Sequence, residues 1–255
     1  MSRPKRAELP SPQVQEFRHT LEAALNELDS EGRTIGNAKF GVYAFYDYDG
    51  EPIYVGQTNE QLRTRIRRHL TNQRTDAVAM RVLDIFEVAE IKLWPLWDLE
   101  DADKTTAKAR LDQVEYSAYM EAIKGSRFKA ILNEKIPPVT VPSPLPDGYR
   151  YPLIEAAAHD ERLHPDVRIA RRAETISRLA AVIRERGEVS DGLRRVLVIQ
   201  AVRLTYLSAS RYAHSQGNPP PDPSAIDVTG LVGELLTEEP GALDEEAIED
   251  VELSD

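Results

Sequence analysis

Apolar residues recur every three or four positions from Gln13 to Leu28, at Val14, Phe17, Leu21, Ala24, Leu25 and Leu28, and predict an amphipathic helix. Phe40 to Tyr46 (FGVYAFY) is aromatic and β-branched and reads as a strand. The Asp-Gly pair that ends Asp47 to Gly50 marks a hairpin turn, with a return strand beginning at Ile53 to Val55. Thr58 or Asn59 is the expected cap of a helix from about Glu60 to Leu70. A short helix follows over Ala77 to Phe86, then a third strand over Ala89 to Trp97, with Pro95 pointing to an edge position or an early end. Lys104 to Lys124 carries the longest helical stripe, through Leu111, Val114, Ala118 and Ala122.

Pro137, Pro138, Pro142, Pro144 and Pro146 then forbid helix continuation and set the expected boundary. Beyond it, Pro165 to Arg186 and Val189 to His214 form two helical patterns around Gly187, an αα-hairpin. The expected organisation is an N-terminal arm and helix (1–38), a domain at 39–138, a Pro-rich linker (139–150), a helical region (151–215) and a tail (216–255). The fold class is α+β: a small three-stranded antiparallel sheet flanked by helices, followed by a helical C-terminal region.

Charge changes this picture in one respect. The chain carries a net charge of −11, which argues against a phosphate-binding surface. From Gln216 to Asp255, however, there are twelve acids and no Lys or Arg, so the preceding residues are near neutral. The tail is expected to be disordered, with at most a brief helix near Val228 to Leu236. Within the body, Arg63, Arg65, Arg67, Arg68 and Arg74 crowd one short window and form a local basic patch. There is no cysteine, which excludes disulfides, thiolate metal sites and cysteine nucleophiles. Without an apolar run long enough for a signal peptide or a membrane span, a soluble cytoplasmic protein is expected.

Three features carry candidate chemistry. Arg65 and His69 lie one helical turn apart and project from one face, a forked cation beside an imidazole. Tyr43 and Tyr54 stand on paired strands and place two phenols near that helix. Glu115 sits at the margin of the long helix's apolar stripe, where a carboxylate can look into a cleft and recruit a divalent cation. Taken singly, each is also explained without chemistry: a solvated basic face, strand tyrosines favoured by β-propensity, a surface acid.

In this order they resemble the GIY-YIG nucleases. The residues that carry the likeness are Gly41-Val42-Tyr43, then Tyr54-Val55-Gly56, Arg65 through His69, Glu115 and Asn133, over roughly residues 38 to 138. The resemblance implies a metal-dependent endonuclease that hydrolyses DNA phosphodiester bonds, in restriction, phage defence, mobile-element or repair biology. It implies that Tyr43 deprotonates or orients the attacking water and that Tyr54 positions water or phosphate. Arg65 would stabilise the growing charge, and His69 would assist Tyr43. Glu115 would hold one Mg²⁺ or Mn²⁺, Asn133 would brace the site, and Gly41 and Gly56 would allow close backbone approach. Arg63, Arg67, Arg68 and Arg74 are the expected DNA contacts.

Two departures stand out. Many relatives place a Lys where this chain has Gln57, and the interval from Glu115 to Asn133 is long. Glu121 fits the spacing of restriction-enzyme members and is the alternative metal ligand. Glu115 is preferred because Leu111-Asp112-x-x-Glu115 leaves a coherent apolar stripe below it. A catalytically silent DNA- or partner-binding module and an RNA-directed nuclease are the rival readings. The arginine-rich pair over 165–214 is open to three roles: DNA binding, a homodimer contact, or a cap that completes the fold. The acidic tail is open to two, a solubilising segment or a competitor for the basic face.

Overall fold

The structure, a computed structural model, describes residues 10–71 and 82–236. Helix α1 (Pro12–Asn26) starts with proline in its first turn and buries Phe17, Leu21, Ala24 and Leu25 of the predicted stripe, but it ends at Asn26, so Leu28 lies beyond it and is exposed. Strands β1 (Gly41–Tyr46) and β2 (Pro52–Thr58) form the expected hairpin. Gly50 takes a positive φ of 69° in the turn, a conformation that favours glycine. Helix α2 (Leu62–Leu70) is capped at Gln61, not at Thr58 or Asn59. The correction arises because β2 runs on through Thr58, whose hydroxyl instead accepts the Glu60 amide at 3.1 Å. Of the helix expected over Ala77 to Phe86, residues 77–81 lie outside the described residues, and Ile85–Glu87 is a single 3₁₀ turn.

Strand β3 (Glu90–Pro95) ends at its proline, and helix α3 (Lys104–Gly125) follows, capped by the Asp103 carboxylate. The sheet then gains a strand that the pattern did not predict. Tyr149–Pro152 forms β4, and the order is β2-β1-β3-β4, antiparallel throughout. The expected three strands are four, because the chain returns after the proline run to pair with β3's outer edge. That edge would otherwise present unpaired backbone groups. Tyr149 and Tyr151 turn inward while Arg150 and Pro152 face out, an alternation too short to stand out beside five prolines.

Both faces of β1 are covered. Tyr43 and Phe45 face α2, whose His69 ring lies 5.9 Å from that of Tyr43. Val42 and Ala44 are buried on the opposite face, where α3 crosses and its Glu121 pairs with Lys92 of β3.

The C-terminal helices α4 (Ala156–Leu163), α5 (Pro165–Arg186) and α6 (Asp191–Ser215) close the molecule. Leu179, Val182, Leu193, Val196 and Ile199 of α5 and α6 join the same hydrophobic core as the sheet. Of the three roles left open for this pair, the cap is therefore visible. Several of its arginines are buried, not presented to a ligand. Asp47, at the start of the β1–β2 turn, accepts from Arg203 at 2.8 Å, Arg172 at 2.9 Å and Arg168 at 3.3 Å. Its other oxygen accepts the amides of Asp49 and Glu51. Glu87 takes a second bond from Arg172 at 3.1 Å. Burial alone would raise the Asp47 pKa, but Arg203, Arg172 and Arg168 more than offset it and hold the carboxyl below its ordinary value.

The expectation of at most a brief helix near Val228 to Leu236 is met. A short helix α7 (Val228–Val232) forms, Val228 and Leu235 are buried, and the Tyr116 hydroxyl donates to the Leu236 carbonyl at 2.9 Å. Expected disorder thus does not begin at residue 216; residues 237–255 and the arm at 1–9 lie outside the described residues. Among the described residues, no helix is long and apolar enough to cross a membrane.

Because Asp47 faces three nearly buried guanidinium groups, Asp47→Asn removes the charge while keeping the shape. The expected loss is about 3–5 kcal/mol of stability in urea unfolding, the scale for orphaning a buried ion-pair partner. A loss below about 1 kcal/mol would show that water screens these arginines.

Candidate active site

Strand alternation places Tyr43 in the middle of β1, facing α2, with no exposed surface. Its ring stacks on Tyr54 at 6.2 Å and an interplanar angle of 27°, and Phe45 lies 5.4 Å away. Tyr54 in turn lies 5.7 Å from His69. The register pairs Tyr43 with Gly56, and a Cβ at Gly56 would lie 2.6 Å from the Tyr43 hydroxyl. Glycine is required there because the phenol lies over the strand. At Gly41 a Cβ would meet the Leu62 side chain at 2.9 Å, so this glycine lets α2 seat against the sheet.

Arg65 and His69, one turn apart on α2, face the two phenols. Burial raises the Tyr43 pKa, and the neighbouring Arg65 works against that shift. Burial also disfavours the Arg65 charge, but Tyr43, Tyr54 and Glu60 outweigh it, so the guanidinium stays protonated. The Tyr43 hydroxyl and the Arg65 Nε are both buried without a well-formed hydrogen bond, although Arg65 and Tyr54 stand beside the phenol. Unsatisfied buried polar atoms are costly and collect where a ligand is to complete them.

Glu115 joins this group from α3. It is 9% exposed, and burial, reinforced by the Asp112 charge, pushes its carboxyl up from an ordinary 4.5 to about 7. Lys108, Arg65 and the Gln57 amide offset only part of that shift. Glu121 takes no part: its side chain is 60% exposed and pairs with Lys92 at 3.5 Å. Asn133 sits beside β2, where its Oδ1 accepts the Val55 amide at 3.0 Å and its Nδ2 donates to the Val55 carbonyl at 2.7 Å. It imitates a neighbouring strand at the sheet's edge.

The basic patch is less open than its sequence suggests. Arg63 reaches back to Leu25 and Asn26 of α1, Arg67 pairs with Glu22, and Arg68 pairs with Glu60. Arg74 lies outside the described residues. Among the described residues of this run, only Arg65 is turned toward the tyrosines. Sequence reading also passed over the bond from Gln57 Nε2 to Asp112 Oδ1, 2.9 Å long. Its one visible signal was that Asp112 lies a helical turn before Glu115. A small enclosed cavity of about 10 Å³ lies elsewhere, against Asp47, Glu87, Arg172 and Arg203. It has room for about one water and belongs to the structural ion pairs.

Two outcomes test this geometry. Gly56→Ala should displace the Tyr43 ring, read as a changed tyrosine environment in near-ultraviolet circular dichroism, while the fold persists. Glu115 has a raised folded pKa, so its contribution to stability is full below the ordinary value and is lost as pH rises from about 4.5 to about 7. Glu115→Gln, measured with chelator present, should therefore be more stable than the parent at pH 8, on the order of 2 kcal/mol. The difference should vanish near pH 4; a variant less stable at pH 8 would contradict it.

Among comparisons with known proteins, residues 39–115 match the model of the family described as the GIY-YIG catalytic domain. No curated protein and no solved structure matches the chain. The matched segment begins beside β1 and ends at Glu115, spanning the hairpin, α2 and the acid-bearing turn of α3. Residues 39–115 thus match the GIY-YIG family, the one that the motif residues of the sequence resemble.

Proposed function

We propose that this protein is a metal-dependent endonuclease that hydrolyses DNA phosphodiester bonds at the site formed by Tyr43, Tyr54, Arg65, His69 and Glu115. The observation that carries the reading is convergence. Two strands and two helices bring a buried phenol, a half-buried guanidinium and a buried acid together, and the Tyr43 hydroxyl and Arg65 Nε are buried there without a well-formed hydrogen bond.

The donor set fits a hard divalent cation. Among the described residues Glu115 makes no ion pair, and its carboxyl is pushed up by burial, a state that a cation relieves. Nor do the described residues hold a group of three or more metal-ligating side chains. The fit is therefore to Mg²⁺ or Mn²⁺, which keep most of their water and accept one or two protein carboxylates. When bound at Glu115, such an ion supplies positive charge to the phosphate and its leaving oxygen.

The chain's own residues do the rest. Arg65 presents a planar fork to the phosphate oxygens and stabilises the charge that grows on them. Tyr43 and Tyr54 orient the attacking water in line with the bond that breaks. Water's oxygen bonds to phosphorus, one phosphorus–oxygen ester bond breaks, and the leaving oxygen takes a proton. Tyr43 hands its phenol proton to His69 as it receives the proton lost by water, with the Arg65 charge drawing its raised pKa downward. His69, in ring contact with both tyrosines, passes the proton on.

The test incubates the protein with supercoiled plasmid, single-stranded DNA and RNA, in Mg²⁺, Mn²⁺ or chelator. Cleavage of DNA that chelator stops is expected. Tyr43→Phe, Arg65→Ala and Glu115→Gln should each lower the rate by about a hundredfold or more, with Glu121→Gln near the parent. RNA cleaved in preference to DNA would replace the substrate, and no cleavage of any nucleic acid would overturn the reading.

A further inference from the structure

The free edge of β2 is held at alternate residues by groups from elsewhere in the chain. Asn133 takes both the amide and the carbonyl of Val55. Two residues on, the Gln57 amide faces the Glu115 carboxylate. In an antiparallel strand, alternate residues point their backbone groups to the same side, so Val55 and Gln57 share the open edge. Gln57 is then held a second time, by its side chain: Nε2 donates to Asp112 Oδ1 at 2.9 Å. Its Oε1 is buried without a partner, so Asp112 alone decides how that amide is turned.

Asp112 is itself anchored. Lys108, four residues before it on α3, donates to both its oxygens at 2.5 and 2.6 Å. Asp112 is largely buried while Lys108 is 61% exposed, so the pair fixes the carboxylate at the margin of the site. Lys108, Asp112 and Glu115 follow at helical intervals and share one face of α3.

We propose that Asp112 and Gln57 form a positioning strap that ties the end of β2 to α3 and sets the distance between Glu115 and the Tyr43–Arg65 pair. The proposal rests on the nuclease reading above. Gln57 directly follows Gly56, the residue beneath the Tyr43 hydroxyl. The strap therefore joins the floor under the phenol to the helix that bears the acid. An edge strand without a neighbour frays at its end. A displacement of about 1 Å at the reacting groups is enough to cost about a hundredfold in rate. Asp112 and Gln57 act through Glu115 and Tyr43 and do not touch the substrate.

The strap is tested with full-length Asp112→Ala, Asp112→Asn and Gln57→Ala. Asp112→Ala and Gln57→Ala should each lower kcat by about tenfold to a hundredfold, with KM within about twofold. The doubly substituted protein should be no slower than either, because both changes break one bond. Asp112→Asn keeps an acceptor for Gln57 and should recover most of kcat. Amide hydrogen exchange at Gln57 and Thr58 should quicken in Asp112→Ala and stay near the parent in Asp112→Asn.

Parental kcat and exchange in Asp112→Ala would overturn the proposal. So would rate losses that multiply in the double variant, or an Asn variant as slow as the Ala variant. Should Asp112→Ala not fold, Gln57→Ala and Asp112→Asn decide by the same criteria. A parent that cuts nothing while exchange still quickens would sink the nuclease reading and leave the strap standing.

Discussion

A carboxylate buried at a hairpin turn needs cations, and in this chain those cations come from far away in sequence. Asp47 closes the β1–β2 turn through the amides of Asp49 and Glu51 and then faces Arg168, Arg172 and Arg203. The hairpin bearing Tyr43 and Tyr54 is thereby fastened to the C-terminal helices more than 100 residues later. Taking so many charges out of water is costly, and their mutual attraction repays it only while every partner is present. The geometry of both phenols thus depends on helices that bear none of the site's residues.

The site shows the opposite economy. At Asp47 the buried carboxylate is fully answered, and its pKa falls below the ordinary value. At Glu115 it is not, and the pKa climbs to about 7. Tyr43 and Arg65 keep buried polar atoms without good partners. One molecule thus holds an answered carboxylate, Asp47, and an unanswered one, Glu115, about the same sheet. Rigidity in the first lets the second persist, because unpaired polar groups would otherwise collapse together or draw the chain apart to meet water. The same contrast shows in the arginines most conspicuous in the sequence, which have partners within the chain. Arg63, Arg67 and Arg68 are spent on α1 and Glu60, while Arg65 of the same helix points at the tyrosines.

Local pattern made much of this legible. The hairpin, the apolar stripes of α1 and α3, and the joint projection of Arg65 and His69 follow from periods of two and about 3.6, which neighbouring residues alone establish. The coherent stripe beneath Glu115 made it the preferred acid, and it is the more buried of the two, with Glu121 exposed and paired to Lys92. Less legible was β4, four residues whose alternation is hidden by prolines and whose only reason to extend is the edge of β3. The burial of Val228 and Leu235 within an acidic segment was equally hidden, since composition averages over the few apolar residues that find a partner.

By itself, the sequence determined the type and order of the main elements, the α+β class, and the motif that resembles one family, because these depend on spacing along one stretch of chain. Only the tertiary structure decided which arginines are structural, that the helical pair completes the core, that Asn133 and Gln57 are gripped along β2's edge, and that Glu115 is buried. Those outcomes depend on which charges meet across long loops. A charge's meaning is set by its surroundings, and its surroundings are not written next to it.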